Sequence, residues 1–189
     1  MLKVIVLCLS LLLLPGPDIQ AAENCSLDLK QPVLITSVGQ NLDALIISSM
    51  LAEMGAETVY LPLAKKEDLY NYKQIIISPG VSYKGLAAAG LKFEDETKRV
   101  QELVEAAGEH SCQLILIYLG GFIQGDARSQ KLIDLLAPNV DVMVIYQGSG
   151  GPIDYFLATA AEKGIPVHFL QHLGNLCEEL APIFSIEVE

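Results

Sequence analysis

PVLITSVGQNLDALIISSMLAEMGAETVYLP, residues 32–62, decides the fold. It opens on Pro32–Ser37, a short β-rich run that is apolar on both faces. A Gly/Gln/Asn connection follows, and then Asn41–Gly55, which carries helical periodicity with Asn41 as the expected N-cap and Gly55 as its stop. Glu57–Pro62 is a second β-rich run. A strand without polar alternation needs cover on both faces, and a helix lying between two such strands supplies it. The stretch therefore predicts a βαβ unit in a parallel sheet.

The same alternation continues to the end of the chain. Lys65–Tyr72 reads as a brief helix, Lys73–Ser78 as a third strand, and the residues after it as a Gly-rich connection. Phe93–Gly108 spaces Phe93, Val100, Leu103, Val104 and Ala107 on one helical face. Gln113–Tyr118, Val142–Tyr146 and Ile165–Leu170 are strands, separated by helices at Arg128–Ala137 and Pro152–Lys163, and a last helix runs over Leu173–Leu180. This predicts an α/β three-layer sandwich around a mainly parallel five- or six-stranded sheet, flavodoxin-like or Rossmann-like, with 2-1-3-4-5 as the expected order.

Upstream, Lys3 precedes the apolar run Val4–Leu14, Pro15–Gly16–Pro17 stops it, and Ala21–Ala22 offers small residues for cleavage. Residues 1–22 thus read as a secretory signal and 23–189 as one α/β domain, which predicts a periplasmic or secreted protein. The apolar run is shorter than the roughly 20 residues a membrane span needs, and no later stretch reaches that length. Cys8 would leave with the signal. Cys25, Cys112 and Cys177 remain, and the odd number implies at least one free thiol or an intermolecular bond. Cys25 could pair with Cys177 if the N-terminus lies along the last helix; the alternative is buried thiols packing as small hydrophobes.

Composition narrows the function. The 189 residues carry 12 Lys plus Arg against 23 Asp plus Glu, a formal charge of -11. That balance argues against a nucleic-acid surface and against charge docking to an anionic membrane. Half the residues are hydrophobic (51%) and the mean hydropathy is +0.40, which excludes disorder. In open α/β sheets ligands bind beyond the carboxyl ends of the strands. Four connections meet there. They carry Ser37, Gly39, Gln40 and Asn41 after strand one, and Ser78, Gly80, Ser82 and Tyr83 after strand three. Gly120 and Gly121 follow strand four, and Gln147, Gly148 and Ser149 follow strand five. Glycine lets backbone N–H groups approach a ligand, and Ser, Gln and Asn orient it. Tyr83, Tyr118 and Tyr146 are the expected apolar walls.

This pattern predicts a non-enzymatic holder of a small polar ligand, anionic or zwitterionic, which serves a transporter or sensor. No G-x-G-x-x-G or G-x-x-x-x-G-K-[ST] loop occurs, so the sequence calls for no nucleotide cofactor. His168 and His172 straddle a strand end and give no metal geometry. The enzymatic rival is a hydrolase or transferase using Ser78 or Ser82 with His172, and a protein-interaction module is the third reading.

Pro32–Pro62, Gln74–Ser78 with Pro79–Gly80, and Ile115–Gly121 (ILIYLGG) together resemble the start of class I glutamine amidotransferase-like domains. The resemblance implies the fold and the pocket position. It implies no catalysis, because Tyr118 stands where the nucleophilic cysteine would be and no H-P-E segment follows. As a whole the chain resembles uncharacterised exported bacterial flavodoxin-like α/β proteins, a domain of unknown function.

Overall fold

The computed structural model describes residues 27–120 and 126–187. The expected signal sequence, Cys25 and Gly121 lie outside these residues.

Six parallel strands form one sheet: β1 (Val33–Val38), β2 (Thr58–Tyr60), β3 (Gln74–Pro79), β4 (Gln113–Tyr118), β5 (Val142–Tyr146) and β6 (Val167–Leu170). Their order is β2-β1-β3-β4-β5-β6, the expected flavodoxin-like order extended by one edge strand. The helices are α1 (Asp43–Glu53), α2 (Tyr83–Ala88), α3 (Phe93–His110), α4 (Ala127–Leu136), α5 (Ile153–Lys163) and α6 (Leu176–Ile183).

Strand alternation divides the core into two layers. Val33, Ile35, Ile76, Ile115, Ile117 and Val144 pack against Ile47 and Leu51 of α1 and Leu180 of α6. Leu34, Ile75, Ile77, Leu116, Met143 and Ile145 pack against α2 to α5. Every residue of β1 and β3 is buried, as two covered faces require. Gln74 is also buried, and three bonds satisfy its amide: it accepts from the Lys30 N–H (2.6 Å) and donates to the Asp28 carbonyl (2.9 Å) and to Gln113 (2.7 Å).

Two expectations are corrected. The connection after β3 contains α2, capped by the Ser82 hydroxyl, which accepts from the Gly85 N–H at 3.0 Å. Asn41 is not the cap of α1; Leu42 holds that position, while the Asn41 side chain turns back toward Ser37. α1 is apolar nearly all round, so burying Ala44, Ile47 and Leu51 leaves Leu42, Leu45 and Ile46 at the surface.

Candidate functional site

The sequence-predicted residues after β1 and β3 come together. Strand pairing continues past the strand ends: the Gly80 N–H donates to the Val38 carbonyl (2.8 Å) and the Ser82 N–H to the Gly39 carbonyl (2.8 Å). This crossing brings backbone against backbone. Gly39 has φ +91°, and a Cβ placed on it would lie 2.5 Å from the Gly80 carbonyl oxygen. Only glycine fits there.

A buried ion pair fixes the loop from beneath. Glu96, in the first turn of α3, is fully buried, and its carboxylate accepts from the Gly39 N–H at 2.7 Å. Arg99 grips the same carboxylate through two nitrogens at 2.7 and 2.8 Å. Its other donors reach the Ala64 carbonyl (2.8 Å) and the Ser37 carbonyl (2.6 Å). The pair thus joins α3 to the β1 loop and to the segment after β2. Neither Glu96 nor Arg99 is among the residues the sequence pattern singles out. The available signal was position: Glu96 lies four residues before Val100 and seven before Leu103, on the buried stripe of α3.

On the α1 side of this crossing lies a group of polar atoms. Ser37 and Ser78 are register partners on β1 and β3 and face the α1–α6 layer. The Ser37 hydroxyl donates toward Asn41, at 3.1 Å to Oδ1 and 3.2 Å to the carbonyl. The other end of that amide, Nδ2, lies against Gly80, 2.8 Å from where a Cβ would stand. Asp43 opens α1 four residues before the buried Ile47, so its carboxyl points along the sheet-facing row. Asn41 Nδ2, Asp43 Oδ2 and Ser78 Oγ are all buried without a hydrogen-bond partner among the described residues. Burial pushes the Asp43 carboxyl up to about 6. Asp43 was not among the residues predicted from sequence.

The other predicted residues separate. Ser82 is used as the α2 cap, and Tyr83 lies on the outer surface of α2, its hydroxyl donating to Asp126 at 2.9 Å. Tyr118 is fully buried on the α3–α5 side, packed at a tilt of 52° against Phe156 with ring centroids 5.2 Å apart. Of the three tyrosines only Tyr146 packs in the α1–α6 layer. Gly120 comes close to Ser149, in the 3₁₀ turn Gln147–Ser149 that follows β5. Gln147 and Gly148 are exposed in that turn.

The catalytic rival finds little support in this arrangement. The Ser82 hydroxyl is taken up by the Gly85 N–H, and the Ser78 hydroxyl has no hydrogen-bond partner among the described residues. His172 follows β6, three strands from β3, which is about 14 Å at the usual strand spacing. Cys112 begins at the opposite edge of the sheet, in a cleft of about 530 Å³ shared with Ala107, Asn139 and Asp141. Burial, reinforced by Asp141, pushes its thiol up to about 11, the reverse of what a nucleophile needs.

The profile of a family described as Domain of unknown function (DUF6305) matches residues 30–184. No curated protein matches the chain. Among solved structures, the solution structure of two-electron reduced Megasphaera elsdenii flavodoxin is similar at 13% identity and a TM-score of 0.32, over 81% of this chain and 98% of that one.

Proposed function

The chain belongs to the DUF6305 family, and we propose that it binds one small polar ligand at the carboxyl edge of the sheet, on the α1 side. One observation supports this reading: Asn41 Nδ2 and Ser78 Oγ, both beside Ser37 at the β1–β3 crossing, and Asp43 Oδ2 at the start of α1 are buried without a hydrogen-bond partner among the described residues. Leaving a polar group in that state costs about 1–3 kcal/mol each, and a ligand that completes the bonds recovers that cost. A donor, an acid and a hydroxyl together select a ligand with both accepting and donating groups. The formal charge of -11 repels anions at long range, so a neutral or zwitterionic ligand fits better than a plain anion. We place the protein outside the cytoplasm, as the expected signal sequence requires, where it would serve a transporter or sensor rather than carry out a reaction.

A thermal-shift screen of amino acids, polyols, sugars and short carboxylates against the full chain tests the proposal. Ligand at 100 times its Kd adds about 2.7 kcal/mol, which is about 5–10 °C for a domain of this size. The shift should disappear in Ser78→Ala. A flat screen, or a shift that Ser78→Ala leaves intact, refutes the reading.

A further inference from the structure

Cations are scarce in this chain, 12 Lys plus Arg against 23 acids, and they are not evenly spread. Lys84, Lys92, Arg128 and Lys131 all lie on α2, α4 and the entry to α3, on the face of the sheet opposite the polar group at Asn41 and Asp43. Two aromatic rings organise them. The Arg128 guanidinium carbon lies 5.3 Å from the Tyr83 ring centroid and 5.4 Å from that of Phe93, and the Lys131 ammonium lies 5.7 Å from Phe93. Lys84 and Lys92 flank these rings in sequence, and all four cations are exposed.

None of the four has a carboxylate within 4 Å among the described residues, a state shared by the scattered Lys65 and Lys73, whereas Lys30, Lys66, Lys98, Arg99 and Lys163 each have one. The carboxylate best placed to neutralise them, Asp126, is already committed. It accepts from the Tyr83 hydroxyl (2.9 Å), the Arg128 N–H (3.3 Å), the Ser129 N–H (3.1 Å) and the Ser129 hydroxyl. Asp134, one turn beyond Lys131, accepts from Gln130 at 2.7 Å. Glu94 and Asp95 follow Phe93 in the first turn of α3, and Asp95 accepts from the Lys92 N–H at 3.3 Å.

We propose that this face, with Tyr83, Phe93, Arg128 and Lys131 at its centre, docks a short acidic segment of a partner protein. The two rings confine the Arg128 guanidinium, the Tyr83 hydroxyl engages one of its donors, and the remaining N–H groups can take a carboxylate side-on. An exposed tyrosine and a half-buried phenylalanine beside arginine match the composition of interface anchors. The patch is small and its surroundings are acidic. A nucleic acid or an anionic bilayer would extend past the four cations into like charge, whereas a few consecutive Asp or Glu side chains fit inside it.

The test uses the full chain and a fluorescein-labelled Asp/Glu hexapeptide, read by anisotropy, with a Ser/Gly hexapeptide as control. Saturable binding to the acidic peptide is expected, weakened at least tenfold by Arg128→Ala and by Lys131→Ala. Lys73→Ala and Lys163→Ala, at the far end of the sheet or already paired, should leave it unchanged. All four positions are exposed, so melting temperatures should stay at the parent value. Binding no better than the control up to 1 mM, or equal loss in all four variants, overturns the proposal. Tighter binding to a single-stranded oligonucleotide or to phosphatidylserine vesicles overturns it as well. Ser78→Ala keeps the patch intact, so failure of the ligand proposal leaves this outcome unaffected.

Discussion

Replacing Asp43 with asparagine is expected to stabilise the protein at neutral pH and to do nothing in acid. The carboxyl is raised from 3.8 to about 6 by burial, with no partner for Oδ2 among the described residues. A folded-state acid with a raised pKa holds its proton more tightly than the unfolded chain does. Its burial therefore costs nothing below about pH 4, costs progressively more from pH 4 to 6, and reaches its full cost above about pH 7. At about 1.4 kcal/mol per pH unit, the ceiling is about 3 kcal/mol. Partial solvent access screens this to about 2 kcal/mol. Asparagine also gives up the favourable interaction of a carboxylate with the first turn of α1, about 0.3–1 kcal/mol. The net gain at pH 7.5 is about 1–1.5 kcal/mol, or about 2–6 °C in Tm for a domain of this size. Calorimetric melts of parent and Asp43→Asn from pH 4 to 8, at constant ionic strength, measure it. The parent should lose stability relative to the variant across pH 4–6, and the two should coincide near pH 4. A variant less stable than the parent at pH 7.5, or a difference independent of pH, refutes the account of Asp43 as a costly buried acid kept for binding.

Glu96→Gln leaves the Arg99 charge, only 11% exposed, without its carboxylate, and should cost about 3–5 kcal/mol in urea unfolding. Gly39→Ala drives a methyl into the Gly80 carbonyl at φ +91° and should cost at least about 1–3 kcal/mol, with loss of any ligand-induced thermal shift. Cys112 and Cys177 are free thiols; both are raised by burial, but Cys112 is raised to about 11 and buried, while Cys177 is half-buried beside Met50. Alkylation of the native protein at pH 8, followed by peptide mass mapping, should label Cys177 first and leave Cys112 unmodified until unfolding.

Strand and helix alternation made most of the fold legible, because a strand buried on both faces such as QIIISP or VMVIY has few other readings. The strand order is not fixed by that pattern: alternation indicates a parallel sheet, and 2-1-3-4-5 is expected only by analogy with flavodoxin-like sheets. Short-range competition defeated the finer readings. Asn41 is a good cap residue by type, but Ser37 and Gly80 hold its side chain, so the helix starts after Leu42. The six residues of α2 contain Gly85 and read as a loop, although Ser82 three residues earlier was a visible cap. Site residues were legible as loops but not as directions. Ser37, Gly39, Asn41, Ser78 and Gly80 converge as expected, whereas Tyr83 and Tyr118 point to the opposite layer. Tyr118 shares its face with Leu116 and Leu114, two and four residues earlier, and Gly151 makes room for its hydroxyl. Asp43 and Glu96 were missed because a charged residue on an apolar row looks solvated until the packing partner is known.

The strand order also sets how the chain can fold. The topology allows β1 to pair with β2, β3 to add to the free side of β1, and β4, β5 and β6 each to add to the edge left by the strand before. The last pairing joins Met143 to Val167, and none requires a formed pair to be reopened. The sheet can therefore grow from the amino to the carboxyl end, in the direction in which the chain emerges from a ribosome. At every stage one unpaired parallel edge waits for its next strand. A chain stalled before β6 would present β5 as an open template, and that is the species from which misassembly should begin.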